Sequence, residues 1–155
     1  MTRVVVFACG EPLRGDDGSG PACAERLSAA ARSRAEVRTC RALSVEDLLA
    51  LPDETSVIIV DAVTGPSPGT IVREPLADLE RIAAGWSPVS GHQLSLAATV
   101  ALARALGWEG RGTFLGIGTT SFGLGEGLSD PVAAAIPTLT EAVEREVTTL
   151  AREGA

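Results

Sequence analysis

The chain has 155 residues, of which 45% are hydrophobic and 21% charged, the size and balance of one globular domain (1–155) with enough apolar side chain for a sizeable core. Its net charge of -7 argues against a nucleic-acid or anionic-membrane surface, because both need clustered positive charge. All 13 basic residues are Arg, which excludes mechanisms that rely on a Schiff-base, P-loop or general-base lysine.

Arg3 to Cys9 is a β-branched run ending at Gly10 and reads as a first strand buried on both faces, the mark of a parallel sheet. Its apolar part is too short for a signal peptide, so a cytoplasmic protein is expected. A Gly-rich loop, Gly10 to Gly20, leads into an Ala-rich helix over Pro21 to Ala35. Glu36 to Ala42 is a second, weaker strand. Ser44 then caps a short helix, with Asp47 three residues on, that stops before Pro52. Ser56 to Asp61 is the clearest strand and is expected to end in its carboxylate. Thr64 to Gly69 is loop, and Thr70 to Arg73 a short edge strand. Ala77 to Ala84 supplies one or two helical turns, and Gly85 to Gly91 a further loop. Gln93 to Leu106 is apolar nearly all round and predicts a helix packed deep against the sheet. Gly112 to Gly118 is the last strand. The loop Thr119 to Leu128 follows, and Asp130-Pro131 opens a final helix to about Arg152, with a kink expected at Pro137. Strands alternating with helices predict a three-layer α/β/α sandwich around a mostly parallel five-stranded sheet, with one antiparallel edge allowed.

In open α/β sheets the ligand crevice lies beyond the carboxyl ends of the strands. Asp16 and Asp17 follow the first strand, Asp61 ends the third, and His92, the only histidine, opens the apolar helix. Each has a plainer reading. His92 caps its own helix, Asp61 forms a turn, and Asp16 or Asp17 caps the first helix and complements its dipole. Adjacent residues point in different directions, so one acid of the pair is expected to cap and the other to face the crevice. Two carboxylates and an imidazole together make an oxygen/nitrogen site for a borderline divalent ion, with positions left for water or substrate. The chain has no Gly-x-Ser-x-Gly elbow. Cys9, Cys23 and Cys40 form an odd set without C-x-x-C spacing and are expected to be reduced thiols, with Cys9 held inside a strand and ill placed as a nucleophile.

The run Gly10 to Pro21, GEPLRGDDGSGP, resembles the N-terminal signature of the hydrogenase maturation endopeptidases, which trim the large subunit of nickel-iron hydrogenases. Ile58 to Ala62, Gly91-His92-Gln93 and Phe114 to Ile117 agree with that family in order and spacing, so the resemblance spans nearly the whole chain. It implies an endopeptidase that removes a C-terminal extension from a precursor already holding nickel on its thiolates. Asp17, Asp61 and His92 are then the metal-recognition and catalytic residues, and the nickel is carried by the substrate. The implied partner is the large-subunit precursor, and a monomer is expected. Glu11 stands where the family often has Asn, which adds a third carboxylate to the loop.

Two other fold-level readings compete. A phosphoacceptor receiver shares the acids after the first strand but needs a lysine that this chain lacks. A dinucleotide binder would place its pyrophosphate against Glu11, Asp16 and Asp17, where like charges repel it. The same residue pattern also permits a chaperone or scaffold that binds the metallated precursor without cutting it.

Overall fold

The computed structural model describes residues 3–79 and 95–153. Five strands, β1 (Arg3–Cys9), β2 (Glu36–Cys40), β3 (Thr55–Val63), β4 (Ile71–Pro75) and β5 (Arg111–Gly118), form one sheet in the order β2-β1-β3-β5-β4. The first four in that order are parallel, and β4 runs antiparallel to β5 at the edge. Pro75 closes β4, and an edge strand tolerates its missing N–H. Five helices lie among the described residues: α1 (Ser19–Arg26), α2 (Ala29–Arg34), α3 (Val45–Leu49), α4 (Leu96–Ala105) and α5 (Asp130–Glu153). None of them is long and apolar enough to cross a membrane.

Both faces of the central strands are buried, and successive residues serve opposite cores. Val4, Val6, Ile58, Val60, Leu115 and Ile117 pack against Val132, Ile136, Leu139 and Val143 of α5 and Cys23 of α1. Val5, Phe7, Val57, Ile59 and Phe114 pack on the other side with Leu48 of α3 and Val100 and Ala103 of α4. The expected three-layer arrangement is therefore observed. A continuous apolar run with no polar alternation is what two buried faces require.

Three expectations are corrected. The Ala-rich segment is two helices, because Leu27 is extended and Ser28 starts a new turn by accepting from the Ala31 N–H at 3.1 Å. The Ser28 N–H is meanwhile taken by Glu144 of α5 at 2.6 Å, which fixes the break from outside. Asp61 does not end its strand: β3 continues to Val63, since Asp61, Ala62 and Val63 pair with Gly116, Ile117 and Gly118 of β5. The helix predicted to be deeply packed presents only one face to the sheet, and Leu102 stays 43% exposed on the other. The final helix extends over Asp130–Glu153 with Pro137 inside it, as expected in extent. Most of the segment expected to hold helical turns over 77–84 and a loop over 85–91 lies outside the described residues.

A buried carboxylate ties the antiparallel edge to the helical layer. Glu146 of α5 receives both guanidinium nitrogens of Arg73 at 2.9 and 3.0 Å and the Thr113 hydroxyl at 2.6 Å. The order of strands also positions the crevice. The chain leaves β1 toward β2 on one side and leaves β3 toward β4, beyond β5, on the other, so the connections diverge at the carboxyl ends of β1 and β3, a topological switch point.

Candidate functional site

The loop after β1 turns back on itself at that switch point. Gly10 has φ +136, and a Cβ there would lie 1.9 Å from the Asp17 carbonyl oxygen, so no side chain fits. The Gly10 N–H donates to the Cys40 carbonyl at 2.9 Å and anchors the loop to the end of β2. A single 3-10 turn, Gly15–Gly18, carries both aspartates and sends them in different directions. At its far end α1 abuts β1: a Cβ on Gly20 would lie 2.3 Å from the Cys9 carbonyl oxygen.

Asp17 faces the crevice. Its Oδ2 accepts from the Glu11 N–H at 2.8 Å, and burial together with the nearby Glu11 charge raises its carboxyl pKa, against the pull of that hydrogen bond and of Arg14. Asp61 stands on β3 with Oδ1 accepting from its neighbour Ala62 N–H at 2.8 Å. Burial and the charge of Asp17 push the Asp61 carboxyl up to about 7. Both carboxyls are raised, Asp61 the more strongly and with the Asp17 charge among its causes. The structure thus brings these two carboxylates close enough for their charges to interact.

Asp16 performs a different task from the expected one. It caps no helix at the start of α1. It is fully buried and accepts four hydrogen bonds from the segment after β5: Thr120 N–H at 3.0 Å, Ser121 N–H at 3.1 Å, Ser129 N–H at 2.7 Å and Ser129 Oγ–H at 2.8 Å. Burial alone would raise its pKa, but these donors outweigh it and hold the carboxyl below its ordinary value. Its own N–H donates to the Ser121 carbonyl at 2.7 Å, so the contact closes in both directions. Asp16 is a latch between the two loops that flank the crevice. The two acids point in different directions as expected, but the expected helix cap is corrected: the member that turns away binds the segment after β5 instead.

Glu11, the additional carboxylate, is partly buried and near enough for its charge to act on Asp17. It accepts from the Leu13 N–H at 3.1 Å and pairs with Arg41 at 2.9 Å. His92 lies outside the described residues. Among those described, no three His, Cys, Asp or Glu side chains are arranged to hold a metal ion, so Asp17 and Asp61 do not form a complete metal site with any other described residue. Such a pair is suited to a divalent cation or to proton exchange near neutrality.

The arrangement can now be set beside known proteins. No curated protein matches the sequence. Among solved structures, hydrogenase maturating endopeptidase HybD from E. coli is 24% identical, with a TM-score of 0.72 over 92% of this chain and 90% of that one, a likeness in fold. The endopeptidase HycI from E. coli is 28% identical, with a TM-score of 0.71 over 94% of this chain and 90% of that one. The [NiFe] hydrogenase maturation protease HybD from Thermococcus kodakarensis is 25% identical, with a TM-score of 0.67 over 93% and 98%. The family model described as hydrogenase maturation protease, HycI, matches residues 22–146, most of the chain. The chain belongs to the hydrogenase maturation protease family.

Proposed function

We propose that this protease removes a C-terminal extension from the nickel-loaded precursor of a nickel-iron hydrogenase large subunit, and that Asp17, Asp61 and His92 recognise the metal the precursor carries. The observation that supports this most is the coupled pair Asp17 and Asp61 at the switch point. Two carboxylates that repel each other in a half-buried crevice are relieved by an arriving cation, and their oxygens suit an ion whose thiolate ligands the substrate already supplies. With no thiolate of its own the trio competes poorly for free metal, so substrate without nickel is hardly bound.

The nickel, as the substrate's cargo, supplies positive charge at the crevice. In the free enzyme the Asp61 carboxyl is pushed up to about 7, and with the ion seated a carboxylate of the pair accepts a proton from the attacking water. The water oxygen bonds to the scissile carbonyl carbon, the C–N bond breaks, and the proton passes to the leaving amine. On this reading the enzyme acts in the cytoplasm as a monomer.

The test is to incubate the protein with precursor purified with and without nickel and to follow precursor mass. Only nickel-loaded precursor should lose mass, also with chelator-treated enzyme, and Asp17→Ala or His92→Ala enzyme should leave it intact. Efficient cleavage of metal-free precursor would defeat the proposal. Tight binding of loaded precursor without any mass loss would point to a chaperone instead.

A further inference from the structure

At the carboxyl end of the β1–β2 pair, Cys9 and Cys40 stand opposite each other in register, with Sγ atoms 3.3 Å apart. Neighbouring strands run about 4.8 Å apart, inside the Cα separation of about 4.4–6.8 Å that a disulfide spans. Neither thiol enters the proposed protease chemistry. Cys9 is fully buried, whereas Cys40, on the outer strand β2, is only partly so. Cys40 is therefore the thiol of the pair that a small solute reaches first.

We propose that Cys9 and Cys40 are a modification site, a cross-strand dithiol that a small-molecule disulfide converts reversibly into a disulfide joining β1 to β2. Cys40, as thiolate, attacks one sulfur of the small disulfide and expels the first small thiol. Cys9 gives up its proton and attacks the Cys40 sulfur, expelling the second. Two protein thiols lose two electrons and two protons, and one small disulfide becomes two thiols. The hydrogen bond between the pair suits these roles: it holds the Cys40 thiol below its ordinary range, and with burial it pushes Cys9 well above. The crosslink falls at the root of the Asp17 loop, where the Gly10 N–H is bonded to the Cys40 carbonyl. Cys23 provides an internal control. It is buried beside Thr140, and burial pushes its thiol up to about 11.

The experiment treats the full chain with oxidised glutathione, alkylates the remaining thiols and digests with trypsin. Free thiols should fall from three to one, with peptides 4–14 and 39–41 joined, Cys23 alkylated, and dithiothreitol restoring all three. Cys9→Ser should retain a stable glutathione adduct on Cys40, and Cys40→Ala should leave Cys9 unmodified. Three unreacted thiols, a lasting adduct on wild-type Cys40, a crosslink between two chains, or oxidation involving Cys23 would each overturn the proposal. The wild-type peptide map and Cys40→Ala keep the test decisive should Cys9→Ser fail to fold.

Discussion

Replacing Asp16 by Ala discriminates sharply between a helix cap and a latch. A cap removed costs about 1 kcal/mol. The latch loses three backbone N–H partners and one hydroxyl, each bonded to a buried carboxylate. A charge-assisted bond in a closed setting is worth about 1.5–3 kcal/mol. Thr120 is exposed, and Ser121 and Ser129 are half-buried, so water replaces part of what is lost. About 1 kcal/mol for each bond gives a loss of about 4 kcal/mol, a large share of the roughly 5–15 kcal/mol typical of a domain. Urea unfolding at pH 7, followed by circular dichroism, measures it. The pH dependence supplies a second check. The Asp16 pKa is lowered on folding, so its contribution is present above the unfolded value of about 3.9 and is lost as pH falls through the folded one. The gap between wild type and Asp16→Ala should therefore narrow below about pH 4. A cost of 1 kcal/mol or less at pH 7, or a gap that widens in acid, would refute the latch.

Asp61→Asn should abolish processing yet stabilise the protein. The raised carboxyl of Asp61 makes wild type lose stability as pH rises from about 4 to about 7, so the variant should match wild type near pH 4 and exceed it by on the order of 2–3 kcal/mol at pH 8 in urea melts. Glu146→Ala strips Arg73 and Thr113 of their shared partner and should cost about 3 kcal/mol, read as a drop in urea midpoint, whereas an unchanged midpoint would make the pair ornamental. Gly10→Ala drives a methyl into the Asp17 carbonyl at a φ that L residues avoid. It should cost about 2–3 kcal/mol and most of the processing activity, measured by precursor mass.

The sheet was legible because its strands bury both faces. Val4 to Ala8 and Val57 to Val60 are unbroken apolar runs, and each position is less than 2% exposed. The cap of α3 was equally clear, with Ser44 and Asp47 exchanging bonds as their spacing predicts. The break at Ser28 was hidden because local propensity over an Ala-rich stretch favours one helix, and the group that divides it, Glu144, is 116 residues away. The role of Asp16 was obscured for the same reason, since its donors lie 104 to 113 residues downstream. Asp17 and Asp61 could be picked out as acids following β1 and closing the apolar run of β3, but their electrostatic coupling depends on strand order. The continuation of β3 past Asp61 depends on its partner β5, which no local pattern records.

That continuation makes the two carboxylates mechanically unlike. Asp61 rides on a stretch paired residue by residue with β5, and shifting it means deforming the middle of the sheet. Asp17 sits on a one-turn loop outside any strand, its carboxylate held by the Glu11 N–H, so no strand pairing fixes its side chain as it does that of Asp61. On the proposed function, an ion docking between a fixed carboxylate and a more adjustable one meets no preset radius, in contrast to an octahedral cage that rejects ions a few tenths of an ångström too large. The proposal then assigns discrimination between nickel and its neighbours in the first transition row to the precursor's own ligands, and predicts that a precursor loaded with a different divalent metal of similar geometry is seated just as readily.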